Sequence, residues 1–469
     1  MEAKKPGICA GEAHIGLKLR IGHYSVSVEI SRRTVVWGGL SIGLTFALAA
    51  CAPGANSVGP TPRRTGAEPG QPTAFRRTSW STDPFAQGSY SYLAPSDVGT
   101  DARTMLAEAI GALHFAGEAT SSNAPATTHG AWESGRRAAA ELSDTTGSIL
   151  VIGAGFAGLA AARALADAGR QVIVIEGRDR TGGRAHTVML DGTPADLGPS
   201  WIHGVTDNPM VELAAAAGVA TIPFDYDNEV GGSAAAETFI EGIFDEALDA
   251  DNPEGRPLSE LLPPTLSPDQ QWVISVEVGG EFGADPAQIA MAAPDEGEDM
   301  QGGDVLLNPG YSQITDHIAQ GLDIRLNWTV TNIAYDDAGV TLTSASGQSL
   351  RADHAIVTLP VGVLHAGSVS FSPPLPEEKT QALGALHSGL LDKLWLAFDE
   401  VFWDPNVDVI NWIDPVNPGQ WPFWVNGYKI YGEPILLGFN SGDIARQFAT
   451  MSDEQVVASA MAAVKGMTA

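Results

Sequence analysis

Three glycines at a spacing that suits phosphate chemistry follow a short apolar run in the first half of the chain. Gly153, Gly155 and Gly158 come directly after the apolar residues 149–152, and such a run is typical of a fully buried parallel strand. The first glycine permits a tight turn, the second lets a pyrophosphate approach the backbone, and the third lets a helix and a strand pack closely. The pattern predicts a turn that binds the phosphates of a dinucleotide.

A helix and a second strand must hold this turn in place. An alanine-rich helix is predicted over 159–168, with Phe156 and Ala157 just before it, so that free N–H groups and the positive end of the helix dipole face the phosphates. The next apolar run, 172–175, ends on Glu176, whose carboxylate can accept hydrogen bonds from ribose hydroxyls. A glycine-rich turn of some other α/β protein is the alternative, but it would not explain the acid at this distance.

A second glycine turn carries arginine side chains. Gly177 and Arg178 lead into Gly182, Gly183 and Arg184. A guanidinium can meet a phosphate through two parallel hydrogen bonds. The second turn therefore extends the predicted phosphate site.

A Leu-Gly-Pro-Ser-Trp segment then occupies residues 197–201. With it, the sequence resembles the flavin-dependent amine oxidase family, which comprises monoamine oxidases, polyamine oxidases and the flavin-type lysine-specific histone demethylases. That family places its second glycine turn on the FAD pyrophosphate and this segment along the flavin. The resemblance therefore implies four more FAD-binding residues: Gly198, Pro199, Ser200 and Trp201.

The composition is that of a folded acidic protein. The 469 residues suffice for two or three sub-domains, 44% of them are hydrophobic, and the formal net charge is −30. So negative a chain argues against a nucleic-acid partner. The charge either steers cationic ligands or only keeps the protein soluble. By resemblance the fold class is α/β, with a Rossmann-type FAD-binding domain, a mixed-sheet substrate domain and a reduced helical cap.

The first 51 residues are predicted to carry targeting signals. Arg32 and Arg33 precede a short apolar run, as in a twin-arginine signal, and the run ends at Cys51 in a stretch that resembles a bacterial lipobox. We expect an export signal over 1–51, a possible lipid anchor on Cys51 and a periplasmic or cell-surface location. An uncleaved anchor helix is the alternative. Residues 52–77 are rich in Pro, Gly, Ser and Thr and are predicted to be a flexible linker.

The order of the family-like segments is unusual. Segments that end the chain in the amine oxidase family, 114–120 among them, stand here before the glycine turns, so the chain resembles a circularly permuted member with its new ends in a surface loop. A rearranged product that does not fold is the alternative. The predicted domains after the linker are the permuted C-terminal part of the FAD domain (78–147), the Rossmann core (148–204), a substrate and cap region (205–310), the second part of the FAD domain (311–360), and the substrate-domain sheet and helix (361–469).

The resemblance places further residues around the FAD. It implies Gly117 and Glu118 at the ribityl and phosphate region and Val330 at the adenine. Thr127 and Thr128 stand at a helix start beside the pyrimidine end of the flavin, where the helix dipole stabilises negative charge. The FAD contacts are thus expected to come from segments far apart in the chain.

Four residues are the catalytic candidates: Lys393, Tyr90, Thr127 and His203. Lys393 ends a Leu-Leu-Asp-Lys segment and is implied to hold a water at the flavin; a lysine that reaches solvent from a strand edge is the alternative. Tyr90 is implied as one aromatic wall of a substrate cage, and Thr127 occupies the second wall position without an aromatic ring. His203 is expected to deprotonate or orient the amine, or else to be a core histidine.

The implied activity is FAD-dependent oxidation of a small-molecule amine. The acidity favours a polyamine-like substrate, oxidised to an imine that hydrolyses to an aldehyde and an amine while O2 is reduced to H2O2. Ser89 stands where monoamine oxidases attach flavin through a cysteine, which implies non-covalent FAD. A related flavin desaturase or protoporphyrinogen-type oxidase, or a catalytically inactive flavin-fold surface lipoprotein, is the alternative. No group of His and Cys residues has metal-ligand spacing.

Overall fold

The computed structural model describes residues 16–21, 24–29, 69–298 and 300–468. The chain forms two compact units, Met1–Pro53 and Gly54–Ala469. In the first unit, β1 (Gly16–Ile21) and β2 (Tyr24–Glu29) pair as an antiparallel hairpin. The twin-arginine run and Cys51 lie outside the described residues. Among the described residues, no helix combines the length and the apolar character needed to cross a membrane.

The second unit is built from many short strands and helices. Its strands are β3 (Ala74–Arg77), β4 (Ser91–Leu93), β5 (Leu113–Phe115), β6 (Ile149–Ile152), β7 (Val172–Ile175), β8 (Thr187–Leu190), β9 (Thr193–Asp196), β10 (Trp201–Ile202), β11 (Ala220–Phe224), β12 (Glu229–Val230), β13 (Asp304–Asn308), β14 (Ile324–Arg325), β15 (Val330–Asp336), β16 (Gly339–Ser344), β17 (Ser349–Ala352), β18 (His354–Val357), β19 (Ser370–Ser372), β20 (Leu386–Ser388), β21 (Leu391–Ala397), β22 (Val409–Asn411), β23 (Phe423–Asn426) and β24 (Ile435–Ser441). Its helices are α1 (Asp101–Ala107), α2 (Thr128–Ala140), α3 (Phe156–Asp167), α4 (Pro209–Ala216), α5 (Ala234–Leu248), α6 (Pro268–Val273), α7 (Gly279–Phe282), α8 (Tyr311–Ala319), α9 (Val361–Ala366), α10 (Glu377–Ala385), α11 (Gly427–Tyr431), α12 (Gly442–Ala449) and α13 (Asp453–Met467).

A five-stranded parallel sheet carries the glycine turns. Its order is β14-β7-β6-β18-β5, and the fully buried apolar run of β6 explains why it lies inside the sheet. Strand β5 and helix α2 come from the chain before the glycine turns, yet they complete this layer. Helix α2 crosses α3 closely, because Gly135 has no side chain: a Cβ there would lie 2.0 Å from the carbonyl oxygen of Ala157. This architecture is the expected Rossmann-type α/β arrangement.

A mixed six-stranded sheet forms the second large layer. Its order is β12-β22-β23-β24-β21-β3. One face, which includes Phe423 and Phe439, packs against residues of the three-stranded sheet β10-β13-β11. The other face, which includes Leu394 and Trp424, packs against α13. Between the two sheets lie the rings of Trp201, Phe224, Tyr226, Phe423 and Phe439. We call this region the aromatic space.

The prediction of a flexible linker up to residue 77 was wrong for its last residues. Residues 74–77 form β3, which pairs with β21 at the edge of the six-stranded sheet. Arg77 fixes this strand through an ion pair with Asp453 at 2.6 Å and hydrogen bonds to the carbonyls of Phe448 and Met451. The hydrogen bonds to β21 and the contacts of the Arg77 guanidinium therefore stabilise a strand that directly follows a segment rich in Pro, Gly, Ser and Thr.

Helices α4 to α7 lie in the predicted cap region. The sequence predicted only a substrate and cap region over 205–310; the structure adds α5 (Ala234–Leu248) and a 3₁₀ turn at Leu258–Leu261. A π-helical turn at Ile274–Val278 joins α6 to α7. The remaining small sheets are β17-β16-β15-β19, β20-β4 and β8-β9.

Candidate functional site

The two glycine turns lie against each other. The amide of Gly182 donates to the carbonyl of Ala154 at 2.8 Å, and Gly155 pairs with Gly182 in an isolated parallel bridge. Gly153 has a φ of +107°, and a Cβ on Gly158 would lie 1.9 Å from its carbonyl oxygen. Gly183 passes so close that its Cβ would lie 3.3 Å from the Cα of Gly155. The site therefore depends on glycine for backbone proximity, as predicted.

Glu176 stands at the end of β7, where the ribose was predicted. Its carboxylate accepts hydrogen bonds from the amide of Ala154 at 2.7 Å and from the amide of Arg178 at 2.8 Å. The predicted cofactor residue Arg178 directs its guanidinium elsewhere, in a bidentate pair with Asp83 at 2.8 and 2.9 Å. Burial raises the pKa of Asp83, but hydrogen bonds and the charge of Arg178 outweigh it, so that the pKa lies below its usual value.

Gly177 and Val330 lie near this ribose end. A Cβ on Gly177 would lie 2.5 Å from the ring of Phe85, so the turn is pressed against that ring. Val330 is buried in the same apolar cluster as Ile175, the last residue of β7. Both residues thus border the predicted nucleotide end of the site.

A buried chain of charges joins Glu118 to the cap. One oxygen of Glu118 accepts from Arg184 at 2.9 Å, and the other accepts from the Ser91 hydroxyl at 2.6 Å. Arg103 donates to that hydroxyl at 2.9 Å and forms a bidentate pair with Glu296 at 2.8 Å. Burial raises the pKa of Glu118, but Arg184, Ser91 and Arg103 together hold it below the usual value. Glu118 is therefore ionised and fixed in orientation.

A small cavity opens beside this carboxylate. Gly117 on its wall has a φ of +135°, and no atom of the described residues lies within 4 Å of the position of its missing Cβ. The residues around the cavity include Gly117, Glu118, Arg184, Thr358 and Pro360. The cavity lies where the resemblance places the ribityl chain and the phosphates.

Lys393 is buried on β21, with 6% of its surface exposed. Its ammonium donates to the carbonyl of Gly198 at 2.5 Å, to the Ser200 hydroxyl at 2.6 Å and to the carbonyl of Asp196 at 3.3 Å. It also lies 5.7 Å from the ring centroid of Trp201. These contacts exclude the alternative of a lysine that reaches solvent. They also occupy all three donors, so a bound water would have to replace one of these acceptors.

Burial shifts the pKa values of two neighbouring groups, the Lys393 ammonium and the Asp196 carboxylate. It lowers the pKa of Lys393, against the partly opposing charge of Asp196. It also raises the pKa of Asp196, although the Thr187 hydroxyl donates to that carboxylate at 2.5 Å and the amide of Tyr311 at 3.1 Å. Asp196 was not among the predicted site residues; its position directly before the Leu-Gly-Pro-Ser-Trp segment was the only available signal.

The start of α2 meets the Trp201 segment. The Thr127 hydroxyl accepts from the amide of Gly130 at 2.9 Å and donates to the carbonyl of Ala124 at 2.9 Å, so it caps the helix. The Thr128 hydroxyl lies 3.2 Å from the Tyr311 hydroxyl, which donates to the carbonyl of Trp201 at 2.6 Å. The helix start is therefore locked to the predicted flavin-facing segment, and the side chain of Thr127 serves the backbone.

Tyr90 contacts the cap region, and His203 lies beside Trp201. The Tyr90 hydroxyl donates to the carbonyl of Gly280 at 2.5 Å, which ties the aromatic wall to α7. His203 stacks on Trp201 at 6.2 Å and pairs with Asp304 at 2.7 Å, while 53% of its side chain stays exposed. Burial lowers the pKa of His203, but Asp304 and the more distant charge of Glu281 raise it above its ordinary value. His203 is thus not a core histidine.

Two buried side-chain nitrogens bear on whether a flavin nucleotide fits this site. Trp201 Nε1 and His129 Nε2 are buried and have no hydrogen-bond partner among the described residues. Burial and the neighbouring His203 lower the pKa of His129 to about 4, so it is neutral. Unpaired buried donors and acceptors are costly unless a ligand or water meets them. Together with the glycine cradle and the open wall at Gly117, they fit FAD.

Sequence reasoning missed several contributors. The Tyr226 ring stacks on Trp201 with centroids 6.4 Å apart, and the Phe439 ring is tilted against Trp201 at 6.0 Å. Asp304 orients His203. Only Asp304 had a local signal, since it follows a Gly-Gly turn. The aromatic residues come together through the packing of two sheets, which no local pattern records.

Comparisons with known proteins agree with this geometry. The family model described as "Flavin containing amine oxidoreductase" matches residues 58–143, 156–230 and 234–469. The chain is 35% identical over 356 residues to Polyamine oxidase 4 of Oryza sativa subsp. japonica, which covers 68% of this chain and 72% of that protein. It is 31% identical over 357 residues to Lysine-specific histone demethylase 1 homolog 1 of Arabidopsis thaliana, covering 68% of this chain and 42% of that protein. The solved structure of cyclohexylamine oxidase from Brevibacterium oxydans IH-35A has a TM-score of 0.54 at 23% identity, over 66% of this chain and 78% of that one, which is a likeness of fold.

Proposed function

The chain belongs to the family of flavin-containing amine oxidoreductases, and from this premise we propose that it oxidises a diamine or polyamine at the Lys393 side of the aromatic space. It is an FAD-dependent amine oxidoreductase, and its FAD is held non-covalently. The acidic chain, with a formal net charge of −30, and the aromatic rings around Lys393 support a cationic substrate. The observation that carries the proposal is the buried Lys393 ammonium held beside the Gly198–Trp201 segment.

When bound, FAD would accept a hydride, which carries both electrons, from the carbon next to the amine nitrogen as the amine becomes an imine. The chain's own residues provide position and charge for this reaction. The turns at Gly155 and Gly183 would cradle the phosphates, Glu176 would meet the ribose, and the dipole of α2 would stabilise the developing negative charge.

The substrate side is organised by aromatic rings and one histidine. Tyr90 and Trp201 exclude water and can stack on an amine or attract its charged form. His203, held by Asp304, is the base that takes a proton from the incoming ammonium, since an amine must be neutral at nitrogen to be oxidised. The imine then hydrolyses to an aldehyde and an amine, and O2 is reduced to H2O2.

An absorbance experiment tests this proposal. The purified protein is mixed anaerobically with spermine, spermidine and a monoamine, and its flavin spectrum is followed before and after air is admitted. Bleaching by an amine and recovery with release of H2O2 is the expected result. Bound flavin that no amine bleaches would contradict it, and bleaching by a hydrophobic polyene instead would favour a desaturase.

We further propose that the protein is exported by the twin-arginine route and anchored through a lipid on Cys51. The paired arginines and the lipobox-like end of the apolar run support this. Mass spectrometry of the membrane fraction should find a lipidated N-terminal Cys51, and C51A should release the protein. A soluble protein with an intact N-terminus would contradict the proposal.

A further inference from the structure

A line of polar groups runs from the cap region to the second glycine turn, and its charges alternate in sign. Its members, in order, are Glu296, Arg103, Ser91, Glu118 and Arg184; we call these five residues the charge line. Arg103 is 1% exposed, and Ser91 and Glu118 are also buried. Burying an ion costs much free energy unless partners replace the water. Each carboxylate of the charge line contacts a guanidinium, so opposite charges compensate each other along it.

The direction of the Ser91 hydroxyl is set by its two neighbours. A guanidinium has donors and no acceptor, so the 2.9 Å bond from Nη1 of Arg103 occupies a lone pair of the Ser91 oxygen. The proton of Ser91 then goes to the carboxylate of Glu118, 2.6 Å away, which also accepts from the amide of Ala126 at 3.2 Å. Arg103 therefore fixes a donor that orients Glu118.

Arg184, at the end of the charge line, has a donor that the described part of the chain does not use. It donates to Glu118 and to the carbonyl of Ser89, both at 2.9 Å and both from Nη1. Its Nη2 is left without a partner among the described residues. The side chain of Arg184 borders the cavity, as do Gly117 and Thr358. A phosphate there would accept from the free donor and would continue the alternation of charge.

The other end of the charge line, Glu296, belongs to a loop of the cap region. Its neighbour Glu298 donates its amide proton to the carbonyl of Asn123 at 2.6 Å. A Cβ on Gly297 would lie only 2.9 Å from the ring of Pro125. Asn123 and Pro125 lie shortly before α2, whose start is predicted to face the flavin. One loop therefore contacts both the charge line and the segment that leads into α2.

Arg103 acts on this site from a distance. Of the described residues, those that line the cavity include Leu106 of the same helix but not Arg103. Burial raises the pKa of the Glu118 carboxyl, but the charge of Arg184, the hydrogen bond from Ser91 and the charge of Arg103 outweigh it. Arg103 therefore influences the cavity through Glu118, both by its charge and by the order it imposes on Ser91.

We propose that Arg103, anchored by Glu296, is a positioning residue for the FAD site: through Ser91 and Glu118 it holds the Arg184 guanidinium toward the cofactor phosphates. Because the anchor belongs to the cap region, the charge line also ties the cofactor site to the cap. The inference rests on the FAD contacts implied for Glu118 and Arg184. It goes beyond the proposed function, since it is independent of which amine is oxidised.

The affinity for FAD tests this positioning role. The holoprotein is dialysed against a series of FAD concentrations, and the flavin absorbance gives the dissociation constant, Kd. R103M removes the charge, R103K keeps the charge but not the planar fork, and S91A interrupts the charge line with the loss of one hydroxyl. E118Q and the double variant R103M/E118Q complete a double-mutant cycle. The control is R256M, because Arg256 forms an exposed pair with Glu260.

We expect R103M and S91A each to raise the Kd for FAD by about tenfold, the value of a charge-assisted hydrogen bond. R103K should lie between R103M and the wild type, since the charge that acts on Glu118 is kept. In the E118Q background, R103M should add less than about twofold, because Arg103 acts on the cofactor through Glu118. R256M should match the wild type.

The same dialysis at decreasing pH gives a second readout. Arg184 and Arg103 are the charged groups that act on Glu118, with Glu296 behind Arg103, and both arginines keep the Glu118 carboxyl ionised as the pH falls. Without Arg103 the pKa of Glu118 should rise, so FAD should be lost at a higher pH in R103M than in the wild type. A residue that only supported the fold would raise the Kd without this change in pH dependence.

Two results would overturn the inference. An unchanged Kd in R103M and S91A would mean that the charge line does not act on the cofactor. An effect of R103M that persists undiminished in the E118Q background would mean that Arg103 only supports the fold. If R103M does not fold, S91A with and without E118Q decides between the same results. If FAD binding depends on Arg103 through Glu118 but no amine bleaches the flavin, the inference stands and the proposed function fails.

Discussion

Lys393 combines full burial with a complete set of hydrogen bonds. Its ammonium meets Gly198, Ser200 and Asp196 in a space closed by Trp201. Removing an ion from water is costly unless such partners replace the water. Packing alone does not require a buried ammonium at this position. Its place beside the segment assigned to the flavin therefore favours a functional role for Lys393.

Replacement of this lysine should slow the reaction without removing the cofactor. In K393M the preorganised positive charge is lost, and we expect flavin reduction or reoxidation to slow by about 100-fold or more. Stopped-flow absorbance resolves the two half-reactions. The control is K429M, because Lys429 pairs with Asp408 away from this segment. A K393M protein with bound flavin and wild-type rates would contradict the assignment.

The pair of His203 and Asp304 predicts a shift in pH dependence. Asp304 raises the pKa of His203 above its usual value, so His203 stays protonated, and unable to accept a proton, to a higher pH. In D304N the pKa of His203 should fall, and the acidic limb of kcat/KM should move to lower pH. The profile with one amine is compared between the two proteins; an unmoved limb would mean that His203 is not the base.

The same pair has a defined effect on stability. Because the folded-state pKa of His203 is raised, the pair stabilises the fold below the unfolded value of about 6.5, and this contribution is lost as the pH rises through the folded value. D304N should therefore lower the thermal midpoint more at pH 5.5 than at pH 8.

At the scale of elements, the crossing of α2 and α3 joins chain segments from before and after the first glycine turn. Gly135 permits this crossing, since a Cβ there would lie 2.0 Å from the carbonyl of Ala157. G135A should therefore separate the helices and destabilise the protein by about 1–3 kcal/mol, with loss of FAD at the adjoining turn. Chemical denaturation and flavin content measure both effects.

Gly384 in α10 supplies the matched control, because its missing Cβ would have no neighbour within 4 Å in the part of the chain that the structure describes. G384A should be neutral or stabilise by about 0.4–1 kcal/mol through the unfolded chain. If G135A behaved like G384A, the close crossing of the helices would not limit stability.

Elements with strong local signals were predictable from the sequence. The glycine turn at Gly153, the strand that ends at Glu176 and α13 follow from short-range patterns. Strand β3 was not predictable, because its stability comes from β21, more than 300 residues away in the chain, and α5 was missed among acidic, glycine-containing loops. The contact between Phe423 and Phe439 was also not predictable, since the two residues become neighbours only through strand pairing.

At the scale of the whole molecule, the early segment is held from many sides. Strand β5 joins the parallel sheet, β3 joins the mixed sheet, and Arg103 pairs with Glu296 in the cap region. Lys379 of α10 donates to the carbonyls of Met105, Leu106 and Glu108 at the end of α1. Such contacts suit a segment that could be joined to the rest of the chain at either end.

We propose that the order of segments is a circular permutation, and moving the early segment tests this. In a rearranged chain, residues 148–468 are followed by a flexible linker of about 12 residues and then by residues 69–147, since Arg77 already pairs with Asp453 at the start of α13. The rearranged chain should bind FAD with the wild-type spectrum. Residues 148–468 alone should not, because they lack Glu118, β5 and α2. A rearranged chain that does not fold, beside a wild type that does, would contradict the proposal.

The strand that bears Lys393 lies next to the edge of its sheet, and the edge strand is β3. The amide of Lys393 donates to the Thr78 hydroxyl at 2.8 Å, and the amide of Thr78 donates back to the carbonyl of Lys393 at 3.0 Å. Edge strands open more readily than central ones. Exchange of the Lys393 amide proton with solvent should therefore follow the opening of β3 rather than global unfolding. Local unfolding of β3 would then disturb the backbone of Lys393 before it disturbs the central strands.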